Sequence, residues 1–442
     1  MKITTYLLKS SIVGALGGLL FGFDTAVIAG TTKQLTSVFH LTDFTLGVTV
    51  FIGLFGTVLG ALTSGALGQK IGGREALRIM AILYVISAIG CGFAWNWDSL
   101  LVFRFIGGIG IGGSSVLGPV YIAELAPAKW RGRLVGLFQI NIVIGILLAY
   151  VTNYFIATLN LHGTEWRWQF GIAALPSAIF LVLLYTIPRS SRWLLTSGRV
   201  DEAREVLRMM GSPNTEEELR EIQDSIRLEK GVTSEPLFQR KLRLPIFLAI
   251  SIGMFNQLSG INAILYYQNL IFDKAGYSAM SGYRQAAIVG AMNLAATFLG
   301  MSLIDKLGRK TLLLIGAVGT AVCLSGVAAI FFTNSHQGLL LYLLIVYIAF
   351  FAISQGAVIW VYIAEVFPTR VRAKGQSLGS GSHWVMNAII ALIFPLLAKS
   401  SGGIPFAFFA AMMVLQFIVV LFFYPETKGR TLEQLQQELQ RS

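Results

Sequence analysis

Charge is scarce in this chain. Of its 442 residues only 13% are Asp, Glu, Lys or Arg, while 55% are hydrophobic and the mean hydropathy is +0.69. A soluble domain carries about a quarter charged residues, so this shortage excludes one. Cysteine is nearly absent: Cys91 and Cys323 both lie in apolar runs, which indicates neither a disulfide framework nor a zinc site. No metal-ligand cluster, Ser/His/Asp arrangement or phosphate loop is present, so nothing points to an enzyme, a metal or a cofactor. The glycines of 107–113 superficially resemble a dinucleotide loop, but they sit in an apolar run after Arg104 and follow no strand. Small residues at helical spacing there let another helix pack closely. Acids are outnumbered, 22 against 34 bases, for a net charge of +12. Their placement, described next, argues against a nucleic-acid partner.

What the chain does have is long apolar runs. About twelve reach the roughly 20 residues needed to cross a bilayer as a helix. They fall near 10–30, 44–67, 79–95, 99–123, 134–157, 167–187, 244–270, 285–304, 312–333, 338–364, 376–398 and 405–424. In lipid each must satisfy its own backbone, so each is expected to be helical. The cations gather in alternate loops: Lys70, Arg74 and Arg78; Lys129, Arg131 and Arg133; Lys306, Arg309 and Lys310; Arg370, Arg372 and Lys374. The intervening loops hold few, Lys33, Lys274 and Lys399 among them. This is the positive-inside pattern, and it places both termini in the cytoplasm of a multi-pass plasma or inner-membrane protein. Too little precedes the first run for a separate targeting peptide, so that run is expected to stay.

One unit is used twice. Val120–Glu124 recurs as Val361–Glu365, Lys70–Arg74 answers Lys306–Lys310, and Pro188 answers Pro425, all at offsets of about 240 residues. An even number of runs separates each pair, so the halves are parallel repeats related by an axis along the membrane normal. The fold class expected is an all-α membrane protein, twelve transmembrane helices in two pseudo-symmetric six-helix bundles. Residues 1–187 form the first bundle, 188–243 a cytoplasmic helical linker, 244–425 the second bundle and 426–442 a cytoplasmic tail. In the linker, Thr215–Glu218 reads as a capping box, with Leu219, Ile222 and Ile226 on one helical face, and a shorter helix is expected over Val200–Met209. The linker is either a latch beneath both halves or a solvated connector.

Two charges lie deep in apolar runs. Asp24 closes the first run, within Leu19–Gly30, and Arg104 interrupts the fourth, within Leu100–Gly107. An ionisable group at that depth is costly and marks a functional site. One buried acid and one buried base on different spans are expected to answer each other.

These motifs identify a family. The chain resembles, over essentially its whole length, the sugar porters of the major facilitator superfamily. The resemblance rests on Gly22–Gly30, Arg104–Gly108, Pro119–Glu124 with Arg131-Gly132, Gln257–Asn262, Asp305–Lys310 and Pro425–Gly429. It implies proton-coupled symport of a monosaccharide, pentose or hexose, or a related polyol, by alternating access to a central cavity, the protein working as a monomer. Asp24 then takes up the proton and Arg104 tunes it; a permanently ionised structural pair is the other reading. The resemblance places sugar contacts at Phe21, Asn256, Gln257, Asn262, Asn293, Trp360, His383 and Trp384. Amides donate to and accept from hydroxyls, and indole faces stack on C–H surfaces.

Three positions depart from the family pattern: Ile146 and Asn256 stand where it usually has Gln, and His383 precedes the Trp of the eleventh run. By the same resemblance Glu124 with Arg74 and Arg131, and Glu365 with Arg309 and Arg372, form cytoplasmic gates. Arg189 departs from the acidic version of its motif, which Glu426 keeps, and is expected to lie as an extra cation beside Arg131. A uniporter of the same fold and a non-transporting sugar receptor are the alternatives. Receptors of this kind carry long cytoplasmic tails, whereas this chain ends about 18 residues after Tyr424.

Overall fold

The computed structural model describes residues 4–212, 214–231, 236–368 and 371–429. Arg370 and most of the expected tail, 430–442, lie outside them. Among the described residues twelve helical stretches are long and apolar enough to cross a membrane. Spans 1 to 6 are Thr5–Phe39, Asp43–Ile71, Gly73–Gly92, Trp97–Leu125, Trp130–Thr158 and Glu165–Leu183; spans 7 to 12 are Arg240–Lys274, Ala279–Leu307, Arg309–Thr333, Gln337–Val366, Lys374–Ser400 and Ile404–Phe423. Each coincides with an apolar run of the sequence.

Three spans are interrupted. Span 6 is helical over Glu165–Gly171 and Ala174–Leu183 with a turn between. Span 7 breaks after Leu258 and resumes at Ile261, and Gly260 stands at the break with φ 83°, a left-handed value that costs glycine nothing. Span 10 carries one π-turn, Ala352–Gly356. Such turns are rare and collect at functional sites.

By proximity the chain forms two compact units. The first contains Met1–Thr25, Ile52–Ala149 and Thr164–Thr233; the second contains Ala26–Phe51, Tyr150–Gly163 and Ser234–Ser442. In the first unit, spans 2 and 4 approach backbone to backbone. A Cβ added at Gly56, Gly60, Gly108 or Gly112 would collide with a main-chain carbonyl of the opposite helix. Spans 1 and 5 meet the same way at Gly22 and Gly145. Close packing is what holds helices together where lipid removes the hydrophobic drive, and it brings Arg104 against span 2.

The linker helices belong to this unit. They are Ser191–Thr196, Val200–Met210 and Thr215–Gly231. Leu194, Ala203, Val206 and Met210 are buried in one core with Leu77, Tyr121, Phe180 and Ile187. Trp193 Nε1 donates to the Gln69 carbonyl at 3.1 Å, and Thr4 Oγ1 to that of Met210 at 3.4 Å. A freely solvated connector is therefore excluded. The expected capping box at Thr215–Glu218 is replaced by a cap one residue earlier, at Asn214. Asn214 Oδ1 faces the Glu217 N–H at 3.5 Å and Asn214 Nδ2 donates to Glu217 Oε2 at 2.7 Å, because asparagine is the better N-cap and immediately precedes Thr215.

In the second unit a core of Leu248, Ile252, Leu312, Val358, Tyr362, Phe367 and Tyr424 joins spans 7, 9, 10 and 12. Residues 26–51 of spans 1 and 2 and residues 150–163, at the end of span 5, belong to this unit too. Lys33 Nζ pairs with Asp273 Oδ1 at 2.7 Å, and Lys399 Nζ with Asp43 Oδ2 at 3.6 Å. Tyr283 donates to the Gly30 carbonyl at 2.6 Å and Tyr150 to that of Leu265 at 2.9 Å. The sequence duplication also reappears in the bonding. Tyr121 donates to the Pro188 carbonyl at 2.8 Å, and Tyr362 to that of Pro425 at 3.2 Å.

Candidate functional site

Asp24 and Arg104 meet inside the first unit, with Arg104 Nη2 3.9 Å from Asp24 Oδ2. A tight charge-assisted bond is about 2.8 Å, so this pair is held by charge rather than by a shared hydrogen. The guanidinium is 5% exposed and the carboxylate 29%. The Phe170 ring centre lies 5.5 Å from the guanidinium carbon, within cation–π range. A Cβ at Gly53 would come 3.1 Å from Nη2, so the glycine leaves room for the cation. Phe21, one turn before Asp24, is half-buried and its carbonyl accepts Thr25 Oγ1 at 2.8 Å. Ile146 is buried in the same unit.

A second polar cluster sits inside the other unit. Gln257 Nε2 donates to Asn256 Oδ1 at 3.0 Å and lies 3.3 Å from His383 ring nitrogens. Asn262 Nδ2 donates to Gln257 Oε1 at 3.1 Å. The break at Gly260 makes this possible, turning Asn262 back toward the end of the preceding helix. Trp360 and Trp384 flank His383, each ring centre 5.1 Å from it. Trp384 is buried, whereas Trp360 is 39% exposed. Amide donors and acceptors beside indole faces match the chemistry of a polyhydroxylated ring. Asn293 is buried on span 8, and among the described residues its carbonyl accepts Thr297 Oγ1 at 2.8 Å while its side chain makes no hydrogen bond to this row. One turn beyond His383 on span 11, Asn387 Nδ2 donates to the Tyr266 hydroxyl at 3.0 Å. That pair extends the polar face, and the sequence reading missed it because neither residue stands out from its apolar surroundings.

The family described as "Sugar (and other) transporter" matches residues 10–439. The chain belongs to the sugar porters of the major facilitator superfamily. It is 36% identical to the D-xylose-proton symporter of Escherichia coli over 98% of this chain and 96% of that protein. It is 34% identical to the arabinose-proton symporter of Bacillus subtilis, with 98% and 94% covered. Among solved structures, the inward-open xylose transporter XylE from E. coli matches with a TM-score of 0.87 at 35% identity, covering 98% of this chain and all of that one.

In this sugar porter the two clusters that the resemblance reads as gates are built differently. In the second half Arg309 Nη2 pairs with Glu365 Oε1 at 3.0 Å, as the resemblance implies, and Thr427 Oγ1 donates to Glu365 Oε2 at 2.6 Å. Arg372 Nε faces the Phe367 carbonyl at 3.4 Å. In the first half Arg74 pairs with Glu75 at 2.7 Å and donates to the Ile187 carbonyl at 2.8 Å, instead of meeting Glu124. Arg131 donates to the Ala123 carbonyl at 3.1 Å, while Glu124 faces Ser190 and Arg192. Arg189, expected as an extra cation beside Arg131, has an acid partner instead. Its Nε lies 3.3 Å from Glu75 Oε1. The cause is Glu75, adjacent to Arg74 in sequence, which gathers Arg74, Arg78 and Arg189 at this end of the unit and to which the sequence reading gave no role.

Proposed function

We propose that this sugar porter carries a monosaccharide, pentose or hexose, or a related polyol, together with a proton by alternating access. The relatives named as D-xylose-proton and arabinose-proton symporters support the reading. One feature of this chain carries it: the loose Asp24–Arg104 pair, whose acid is partly accessible although it lies in a membrane span.

The coupling follows from charge. An ionised Asp24 that parted from Arg104 would leave a carboxylate without its counter-charge at membrane depth, at a cost of several kcal/mol, roughly 3 on insertion scales. A protonated Asp24 parts without that penalty on its own side, and the Phe170 ring face offsets part of it for the guanidinium. Conformational change that separates spans 1 and 4 at this point is thus favoured only with the proton aboard. The sugar is held by Gln257, Asn262, Trp360, His383 and Trp384, with Phe21 and Asn293 as further contacts. The basic loops lie in the cytoplasm, with both termini, and the protein acts as a monomer in a cell membrane.

The test is uptake of labelled sugars by proteoliposomes under an imposed proton gradient. D-xylose, arabinose, glucose and inositol are compared. Accumulation above the outside concentration, collapsed by a protonophore, is expected for at least one. Equilibration that a protonophore leaves unchanged would make the protein a uniporter and Asp24 a structural residue.

A further inference from the structure

Span 10 is α-helical over Leu340–Phe351 and Ala357–Val366, and the π-turn between them sets the carbonyl of Gln355 against Asn256, whose Nδ2 lies 3.4 Å away. The two ends of a lone amide side chain are interchangeable in shape, so its orientation is decided by its partners. A main-chain carbonyl only accepts. Asn256 therefore turns its Nδ2 toward span 10 and its Oδ1 toward Gln257. That oxygen only accepts as well, so Gln257 presents Nε2 to it, at 3.0 Å, and the same nitrogen faces His383 at 3.3 Å. Gln257 Oε1 is then left for Asn262, whose Nδ2 donates at 3.1 Å. Three amides run in one direction, and the end that sets the direction is a group that cannot flip.

The consequence is a polarity. Gln257 Nε2 faces Asn256 Oδ1 and lies 3.3 Å from both His383 ring nitrogens, of which the one without a hydrogen can accept, so the side of Gln257 left for an incoming molecule is its oxygen lone pair. Asn262, at the end of the row, has its Oδ1 free of hydrogen bonds among the described residues. Asn256 is 5% exposed and uses both of its polar atoms on protein. We infer that the Gln355 carbonyl and Asn256 are positioning groups that make the substrate side of Gln257 and Asn262 an acceptor face. That face selects a sugar able to donate a hydroxyl hydrogen there. Asn256 is then not a sugar contact. The inference rests on reading these residues as the sugar site.

The test uses the full-length protein in proteoliposomes and competition of labelled D-xylose counterflow by D-xylose and its monodeoxyfluoro analogues. Fluorine has nearly the size of a hydroxyl but cannot donate. At one ring position fluorine should weaken competition about tenfold or more in the wild type, the value of one hydrogen bond of about 1.4 kcal/mol. In Asn256→Leu the amides are free to turn, and that ratio should fall to about two. In Asn256→Asp the oxygen facing Gln257 can still only accept from Nε2, so the amides beyond it keep their direction and the ratio should persist. Asn262→Leu removes the terminal acceptor by another route and should also abolish the ratio, which covers the case of an Asn256→Leu protein that does not fold. Equal ratios in wild type and both leucine variants overturn the inference while leaving the sugar reading intact. A uniform loss for all sugars in the variants also overturns it, since that is what a merely structural role produces. Failure of every sugar to compete in the wild type overturns the sugar reading, and the inference falls with it.

Discussion

Arg189 and Glu426 occupy corresponding places, each directly after the proline that follows the last span of its half, yet they do opposite things. Glu426 accepts the Arg309 and Lys310 main-chain N–H groups at 2.8 and 3.0 Å, at the start of span 9. Arg189 instead reaches Glu75, in the first turn of span 3. The acid has moved from the loop to the helix start, and the sign of the loop residue has reversed with it.

This exchange predicts a coupling between two positions. Arg189→Glu alone sets a second carboxylate against Glu75 and should lower thermal stability in detergent. Adding Glu75→Thr, the residue type at the corresponding position 311, should recover the loss. Both groups are partly exposed, 29% and 21%, so the coupling expected from a double-mutant cycle is about 0.5–1 kcal/mol. Additive effects would mean that the pair contributes nothing.

Asp24→Asn keeps the shape of the side chain and removes its proton site. Accumulation against a gradient should disappear, while exchange of labelled for unlabelled sugar across the same membrane should persist within a few-fold of wild type. Undiminished accumulation in this variant would remove Asp24 from the coupling mechanism.

Lys33 and Asp273 tie span 1 to span 7, but at 68% and 38% exposure the pair is screened by salt and contributes less than about 1 kcal/mol. Lys33→Glu should therefore lower the population in which span 1 is tied to span 7 by no more than about fivefold. The rate at which an impermeant maleimide modifies a cysteine placed at buried Thr32 reads that shift. The paired change Lys33→Glu with Asp273→Lys should restore the wild-type rate, and raising the salt should mimic the single substitution. A large effect that the reversed pair fails to rescue would point to packing instead of charge.

Glu426 gives a pH dependence with a definite sign. Burial alone would raise its carboxyl, but the main-chain N–H groups of Lys428, Arg309, Lys310 and Thr427 hold it below the ordinary carboxylate range. The unfolded chain therefore binds this proton more tightly than the folded one. The stability Glu426 contributes is complete above the ordinary value of about 4.3 and is lost as pH falls through the lower folded value. Wild type and Glu426→Gln should differ in melting temperature at neutral pH and converge in strong acid. A gap that widened on acidification would reverse the assignment.

Much of the fold was legible because lipid enforces simple rules. Apolar runs of the required length had to be helices, and the spans fall where those runs lie. The Asp24–Arg104 pairing was legible for a related reason: two opposite charges deep in apolar segments have few other partners. Glu75 was not, because an acid beside Arg74 in a basic loop looks like surface decoration until Arg78 and Arg189 converge on it. The N-cap at Asn214 was missed because Thr215 satisfies the same pattern one residue later. The break in span 6 leaves no apolar gap in the sequence to mark it.

What the sequence determined by itself is the class of object: a duplicated set of membrane helices with one acid and one base at depth, and amide and indole side chains in the second half. These are properties of composition and order, and they hold whatever the packing. Tertiary structure alone decided which atoms face which. Hydrogen-bond direction depends on which partner can only donate or only accept, and that is settled by groups far apart in the chain, as when the Gln355 carbonyl orients Asn256 across 99 residues.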